Sequence, residues 1–471
     1  MASSVIIGSF ELFKRQGTGI RTFSRSLVAA LASKNALSLD LLVSTTSKTD
    51  AGLLTRSNIL QMHEKQNFIT KFSPFLRAKT KHLWRLPMRP AGPRLQRIPA
   101  KHPLHAVLLG KCFDDATRDY SRPGNGESEI QSRGERGFVC GINLFADAPA
   151  YFKTNRRLLQ VRLPRPSKAQ KNTKPLYHSP LPYPLSIHGC INFSTVHDLI
   201  PITHPELCLD DPAYFYDLVD SLLTNSDGIH CISQYTADQI KRYYGDKGTD
   251  KLFVAHQPIP LAHLNSEYEI AAQQRLQNRH EKGSKKDRYI LQVGSIEPKK
   301  NHSTTLEAFR RLREKDSSLR LVIIGKPGWL TDDLCDYLAS AKTDKVEWLR
   351  AASFRTLIRY MQGASAVVFP SIVEGWGLPP LEAMSYGAPV VTSPIPPCQE
   401  ACGEAALYME NPLDAISLSQ HVREILDNAE YGKGLIKLGF EQAKKYSSDQ
   451  FATDLLNGYE QVIPGIGRTN E

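Results

Sequence analysis

The sequence predicts two α/β domains joined by a short linker, and three observations carry that expectation. The chain has 471 residues, too many for one ordinary core and enough for two. Short β-branched runs alternate with longer amphipathic stretches, the rhythm of parallel strands with crossover helices. A polar, basic break with little apolar periodicity (273–288) separates two such series.

In the first series, strands are expected near Val5–Ile7, Leu39–Val43, Phe193–Val196, Gly228–Ile232 and Leu252–Ala255. The predicted boundaries of this domain are 1–272, with surface insertions at about 60–175. Within them, 118–136 is rich in Gly, Ser and charge, and 164–176 carries Lys168, Lys171 and Lys174, so both read as loops. The second series repeats the rhythm more cleanly over 289–446. Its strands are Tyr289–Gly294, Arg320–Gly325, Ala366–Phe369 and Ala388–Thr392. The closing stretch, 447–471, places Phe451, Leu455, Leu456 and Tyr459 on one face and predicts a final helix that packs back on the first domain.

Composition excludes several classes. Apolar residues make up 41% and charged residues 23%, as in folded soluble proteins. No apolar run reaches the roughly 18 residues of a membrane-spanning helix. The stretch from Met1 to Ile7 reads as a core strand rather than a signal peptide, so the expected location is the cytoplasm. Eight cysteines are then expected to be reduced and mostly buried. Cys398 and Cys402 lack a second Cys/His pair at zinc spacing, so no metal is expected. The net charge of +11 favours anionic partners. Much of it falls in 65–111, where Lys71, Arg77, Lys79, Lys81, Arg85, Arg89, Arg94, Arg97 and Lys101 meet no carboxylate. Apolar and aromatic side chains, among them Phe72, Phe75 and Trp84, are interleaved. That segment is either a solvated, proline-broken insertion or a contact for an anionic membrane surface at its inner face. No nucleic-acid module accompanies the charge.

The chemistry concentrates in two loops. In Pro370-Ser371-Ile372-Val373-Glu374-Gly375-Trp376-Gly377-Leu378-Pro379-Pro380-Leu381-Glu382, a buried strand ends, glycines permit close backbone approach, and prolines suit a first helical turn. Such a unit presents backbone N–H groups and a positive helix end where phosphates bind in open α/β sheets. Glu374 and Glu382 flank the loop and suit sugar hydroxyls better than phosphate; alone, Glu382 equally reads as an acid favoured by the helix dipole. In Gly294-Ser295-Ile296-Glu297-Pro298-Lys299-Lys300-Asn301-His302, Lys300 stands just before a helix that Asn301 or Ser303 would cap, with Leu306 and Phe309 inward.

The spacing of Glu374 and Glu382 resembles the E-x7-E signature of family-4 retaining glycosyltransferases, whose GT-B fold sets two Rossmann-like domains face to face across a cleft. The wording is most similar to bacterial mannosyltransferases of surface-polysaccharide (lipopolysaccharide) synthesis. The resemblance implies that Glu374 contacts the transferred sugar and Glu382 the ribose. Amides of Gly375, Trp376, Gly377 and Leu378 would hold sugar and diphosphate, and Lys300 would neutralise the leaving group. Many relatives have Arg where Ser295 stands, which leaves Lys300, Lys299 or Lys326 to compensate. Val346–Arg350 resembles the segment lining the base pocket, giving Leu349 and Arg350, although Gly is usual at the latter position. Glu400 matches a family glutamate. In the first half, Gly17 and Gly19 resemble the family's N-terminal glycine loop, and His197-Asp198 its cleft pair, with His197 at the donor sugar. Ser233–Asp238 resembles a helix-capping turn. Tyr177-His178-Ser179-Pro180 is similar to a segment on the acceptor side.

The implied reaction is metal-independent, cofactor-free retaining transfer of a hexose from a sugar nucleotide, GDP-mannose favoured, to a saccharide or lipid-linked saccharide. The alternatives are a sugar-nucleotide epimerase or phosphorylase on the same plan, and a non-catalytic nucleotide-sugar binding protein.

Overall fold

The three-dimensional structure is a computed structural model. It describes residues 4–8, 19–33, 38–45, 96–98, 137–142, 144–163, 174–259, 274, 288–329 and 331–464. The glycine at position 17, the loop at 118–136, most of the 164–176 loop, nearly all of the linker and all of the basic 65–111 segment except 96–98 lie outside these residues.

The first half builds an eight-stranded sheet from β1 (Ser4–Gly8), β2 (Ser38–Thr45), β3 (Gln96–Ile98), β4 (Gly137–Ile142), β6 (Leu176–Ser179), β8 (Ile191–Val196), β9 (Gly228–Cys231) and β10 (Leu252–Val254). Their order is β10-β9-β8-β6-β1-β2-β4-β3. All pairings are parallel except that of β3 with β4. A small second sheet pairs β5 (Leu159–Arg162) with β7 (Leu185–His188). The helices of this half include α1 (Gly19–Ser33), α2 (Leu144–Asn155), α3 (Pro212–Asn225) and α4 (Gln234–Tyr244).

The expected insertion needs correction here. Part of 137–162 belongs to the fold rather than to a surface insertion: β4 runs in register beside β2, and α2 buries Leu144, Phe145, Ala148, Tyr151 and Phe152. The run Phe138-Val139-Cys140 is a short apolar strand that the polar stretch before it conceals. Leu176, expected in a loop, opens β6 and is fully buried.

The second half forms a six-stranded, wholly parallel sheet ordered β13-β12-β11-β14-β15-β16. Its strands are β11 (Tyr289–Val293), β12 (Arg320–Ile324), β13 (Val346–Leu349), β14 (Ala366–Phe369), β15 (Val390–Thr392) and β16 (Leu407–Tyr408). The helices are α5 (His302–Lys315), α6 (Asp332–Ser340), α7 (Phe354–Gly363), α8 (Leu378–Ser385), α9 (Pro396–Cys402), α10 (Ala415–Asp427) and α11 (Ala429–Lys444). The chain winds outward from β11 through β12 to β13 and, in the other direction, from β14 to β16. The switch point therefore falls between β11 and β14, and the loops leaving their carboxyl ends flank the crevice where open α/β sheets bind ligands. These are the lysine loop and the Glu374 loop.

The final helix, α12 (Ser448–Val462), is capped by the Ser447 hydroxyl, which accepts from the Gln450 amide. It leaves the second lobe and returns to the first. Phe451, Leu455 and Tyr459 are buried there, each worth about 1.5–3 kcal/mol of burial. The Tyr459 and Phe451 rings pack against Phe193, Phe253 and Phe23.

Candidate active site

Lys300 and Glu374 arrive on adjacent loops and meet. Lys300 Nζ lies 2.5 Å from Glu374 Oε1, with only 13% and 10% of the two side chains exposed. The ammonium also sits 5.0 Å from the centre of the Phe369 ring, a cation–π contact at the end of β14. Local structure explains the meeting. The Ile372 amide donates to the Lys299 carbonyl, and Gln292 Nε2 on β11 donates to the Lys300 carbonyl, so the two loops are laced by backbone. Asn301 adds to this, and its role differs from the expected cap. It occupies the N-cap position of α5 with a left-handed φ of 53°, but its side chain does not cap the helix. Its amide donates to the carbonyls of Pro370 and Pro412, and its Oδ1 accepts from Thr304. Asn301 is a tie between loops.

Across the cleft stands His197, at the end of β8. Its Nε2–H donates to the Pro180 carbonyl at 2.7 Å, and the Phe23 ring meets it edge-on. Burial lowers its pKa, so the ring is neutral with its proton on Nε2. The lobes touch here. A Cβ on Gly375 would lie 2.5 Å from the His197 carbonyl oxygen and 2.8 Å from Asp198 Cβ. Only glycine permits that approach. The Ser233 hydroxyl donates to the Gly375 carbonyl and the Thr236 hydroxyl to the His197 carbonyl, so the start of α4 holds both segments.

Glu382 is the fifth residue of α8. Burial pushes its carboxyl up to about 8, and among the described residues no hydrogen bond or ion pair engages it. A neutral carboxyl can donate as well as accept, which suits vicinal hydroxyls.

The remaining expected residues divide. Ser295 is half-buried, with its hydroxyl donating to the Glu297 carboxylate. Lys326 is exposed on the loop after β12. Gly377 precedes α8, where a Cβ would meet Ala401 at 2.7 Å, and Leu378 begins the helix. Trp376 is 4% exposed, and its indole N–H donates to the Gln257 carbonyl. Its side chain therefore packs between the lobes, and only its backbone remains for a ligand. Leu349 packs partly into the core, whereas Arg350 is exposed and stacks 4.5 Å over Trp348. Gly19 opens α1. The expected acceptor segment is interior instead: Tyr177 and His178 are buried, and His178 bonds Tyr459 and Thr195.

Two site residues carried little signal in the sequence. For Lys299, burial disfavours the charge, but Glu374, Asp198 and Glu297 outweigh it and hold the ammonium above its usual value. Glu400 reaches across to the amides of Gln234 and Tyr235 and to His256. Burial works against its ionisation, yet those donors hold its carboxyl below the usual range.

Two parallel α/β sheets, with strand-end loops meeting across a crevice, define the GT-B class. Residues 274–442 match the family model described as glycosyl transferases group 1. The chain is 28% identical over 300 residues to O-antigen chain mannosyltransferase B of Escherichia coli, covering 60% of this chain and 74% of that one. It is 28% identical to the serotype-specific mannosyltransferase WbdA of Escherichia coli over 48% of this chain, but that match spans only 29% of WbdA. O-antigen chain mannosyltransferase RfbU of Salmonella typhimurium is 27% identical, over 49% of this chain and 60% of RfbU. Among solved structures, Anabaena HepE in complex with UDP and glucose superposes with a TM-score of 0.56 at 10% identity, covering 97% of this chain and 99% of HepE. Sucrose-phosphate synthase from Thermosynechococcus elongatus gives 0.54 at 15% identity, over 98% and 99%.

Proposed function

We propose that this chain is a retaining hexosyltransferase of polysaccharide synthesis. It moves mannose from GDP-mannose to a saccharide or lipid-linked saccharide without a catalytic metal. The observation that carries the reading is the Lys300–Glu374 pair on the switch-point loops, opposite a neutral His197. The mannosyltransferase relatives favour mannose.

In this reading the bond between the anomeric carbon and the diphosphate oxygen breaks. Lys300, with Lys299 beside it, takes up the charge developing on the leaving oxygen, together with loop amides at the start of α8. Two preorganised ammonium groups supply the electrostatic stabilisation that a divalent cation gives in other enzymes. The acceptor hydroxyl forms the new bond on the face the diphosphate leaves, and its proton passes to the departing phosphate. Glu374 holds sugar hydroxyls, and Glu382 the ribose. No side chain serves as a covalent nucleophile.

The test is a turnover assay with GDP-mannose, GDP-glucose and UDP-sugars against saccharide acceptors, run with and without EDTA, with the product anomer read by NMR. The reading predicts GDP release and an α-linked product at an undiminished rate in EDTA. An inverted product, or epimerised donor formed without any acceptor, contradicts it.

A further inference from the structure

We propose that Glu400 is a positioning residue that sets the distance between the donor loop and His197 by capping a helix of the opposite lobe. Its consequence for turnover rests on the proposed transferase reading; the joint itself does not.

Glu400 belongs to α9 in the second lobe, and α4 belongs to the first. The Glu400 carboxylate accepts the amides of Gln234 at 2.6 Å and Tyr235 at 3.0 Å, the first two residues of α4. The third amide, that of Thr236, is taken by the helix's own cap, Ser233. The opening turn of α4 thus has its orphan donors satisfied partly from within and partly from the other lobe. A carboxylate is favoured there because the helix dipole places positive charge at that end. His256 Nε2 lies 2.7 Å from the same carboxylate, and the Tyr446 hydroxyl donates to the Glu400 carbonyl. With 19% of its side chain exposed, Glu400 is sheltered from screening by salt.

The same turn holds the reacting segments. Ser233 bonds the Gly375 carbonyl and Thr236 the His197 carbonyl. Gly375 and His197 are already at the closest approach that a glycine permits. Once Glu400 fixes α4 to the second lobe, the distance from Glu374 to His197 has little freedom left. Without it, two amides at the start of α4 take water, and near the cleft the lobes keep the Ser233 bond to Gly375, the Trp376 packing and the Ile259 amide's bond to the Tyr446 carbonyl.

The experiment compares wild type with Glu400→Ala and Glu400→Gln. Small-angle scattering reads the radius of gyration, circular dichroism the folded fraction, and steady-state kinetics kcat and KM for the sugar nucleotide. Glu400→Ala is expected to enlarge the radius of gyration at full folded fraction. It should also lower kcat by about ten-fold or more, because small misplacements of reacting groups are costly. KM should change by less than about three-fold, since donor contacts within the second lobe persist. Glu400→Gln keeps one acceptor oxygen and should recover part of both losses. A wild-type radius of gyration in Glu400→Ala overturns the proposal, as does a kcat loss that merely tracks a loss of folded protein. If wild type turns over no sugar nucleotide, the transferase reading fails and the scattering result alone decides the joint.

Discussion

Lys300 and Glu374 form an ion pair that each would leave to engage a charged, hydroxylated ligand. Their charges are needed for different partners, so each substitution should act separately on the rate. In the proposed reaction Lys300→Ala removes the charge that would stabilise the leaving group, and kcat should fall by about 10²–10³-fold, as for other preorganised donors of this kind. Glu374→Gln should lower kcat comparably, measured as nucleoside diphosphate release with acceptor present. Near-wild-type rates for both variants would remove these residues from the mechanism. Gly375→Ala pushes a methyl group into the His197 carbonyl, whose 2.5 Å approach leaves no room. Its kcat should fall by at least about ten-fold while the second lobe's donor contacts survive, measured as kcat against KM. Glu382 gives a pH signature. Burial holds its carboxyl up to about 8 in the folded chain, above the ordinary 4.5, so the folded state binds the extra proton between those values. Its contribution is present below pH 4.5 and is lost as pH rises through about 8. Glu382→Gln, which mimics the neutral form, should flatten the decline of Tm between pH 4.5 and 8 relative to wild type.

At the scale of elements, α12 is joined to the first lobe by a buried relay. The Tyr459 hydroxyl bonds His178 Nδ1, and His178 Nε2 bonds Thr195. Thr195 bonds His230 Nδ1, and His230 Nε2–H donates to the Ala255 carbonyl at 2.8 Å. The last bond fixes the direction of the others: each group donates toward Ala255, and both imidazoles are neutral. Burial pushes His230 down to about 3 and His178 well below its usual value. The sign is that of a depressed histidine. Above about 6.5 neither state gains a proton; as pH falls from there toward 3 the unfolded chain protonates first, and stability is lost. Wild type should therefore lose stability between pH 6.5 and 4, measured by urea unfolding, and Thr195→Val should unfold at lower denaturant throughout. Tyr459→Phe leaves His178 Nδ1 buried without a donor and should cost about 1–3 kcal/mol. These histidines also mark a limit of sequence reading. Tyr177-His178 was legible as a segment of interest, but nothing local says that His178 faces a tyrosine 281 residues away. The loops around Glu374 and Lys300 were legible because a strand end, glycines and a helix start are adjacent in sequence. The direction of the Trp376 indole, toward the Gln257 carbonyl, was not legible, since the backbone pattern of a ligand loop does not reveal which way an indole turns. Glu400 showed only as a match, because its partners lie on another lobe.

For the whole molecule, two sheets with opposed strand ends were foreshadowed by the alternating rhythm of runs. The inclusion of Gly137–Ile142 in the first sheet was not, because a strand of six residues after a long polar stretch leaves little periodicity to detect. Among the described residues no helix is long and apolar enough to cross a membrane. The basic 65–111 segment then supports a proposal of contact with an anionic membrane face. Co-sedimentation with vesicles containing anionic lipid should fall steeply with salt and should be lost when the lysines and arginines of 71–101 are replaced by glutamine. Binding equal to that of neutral vesicles would exclude the contact. The proposed reaction needs a diphosphate held where the strand ends of β11 and β14 diverge. A crystal structure with GDP-mannose tests this most directly. It should show the diphosphate within hydrogen-bond distance of Lys300 Nζ and the sugar hydroxyls on Glu374, with their mutual ion pair broken. A donor bound elsewhere, with Lys300 and Glu374 still paired, would contradict it.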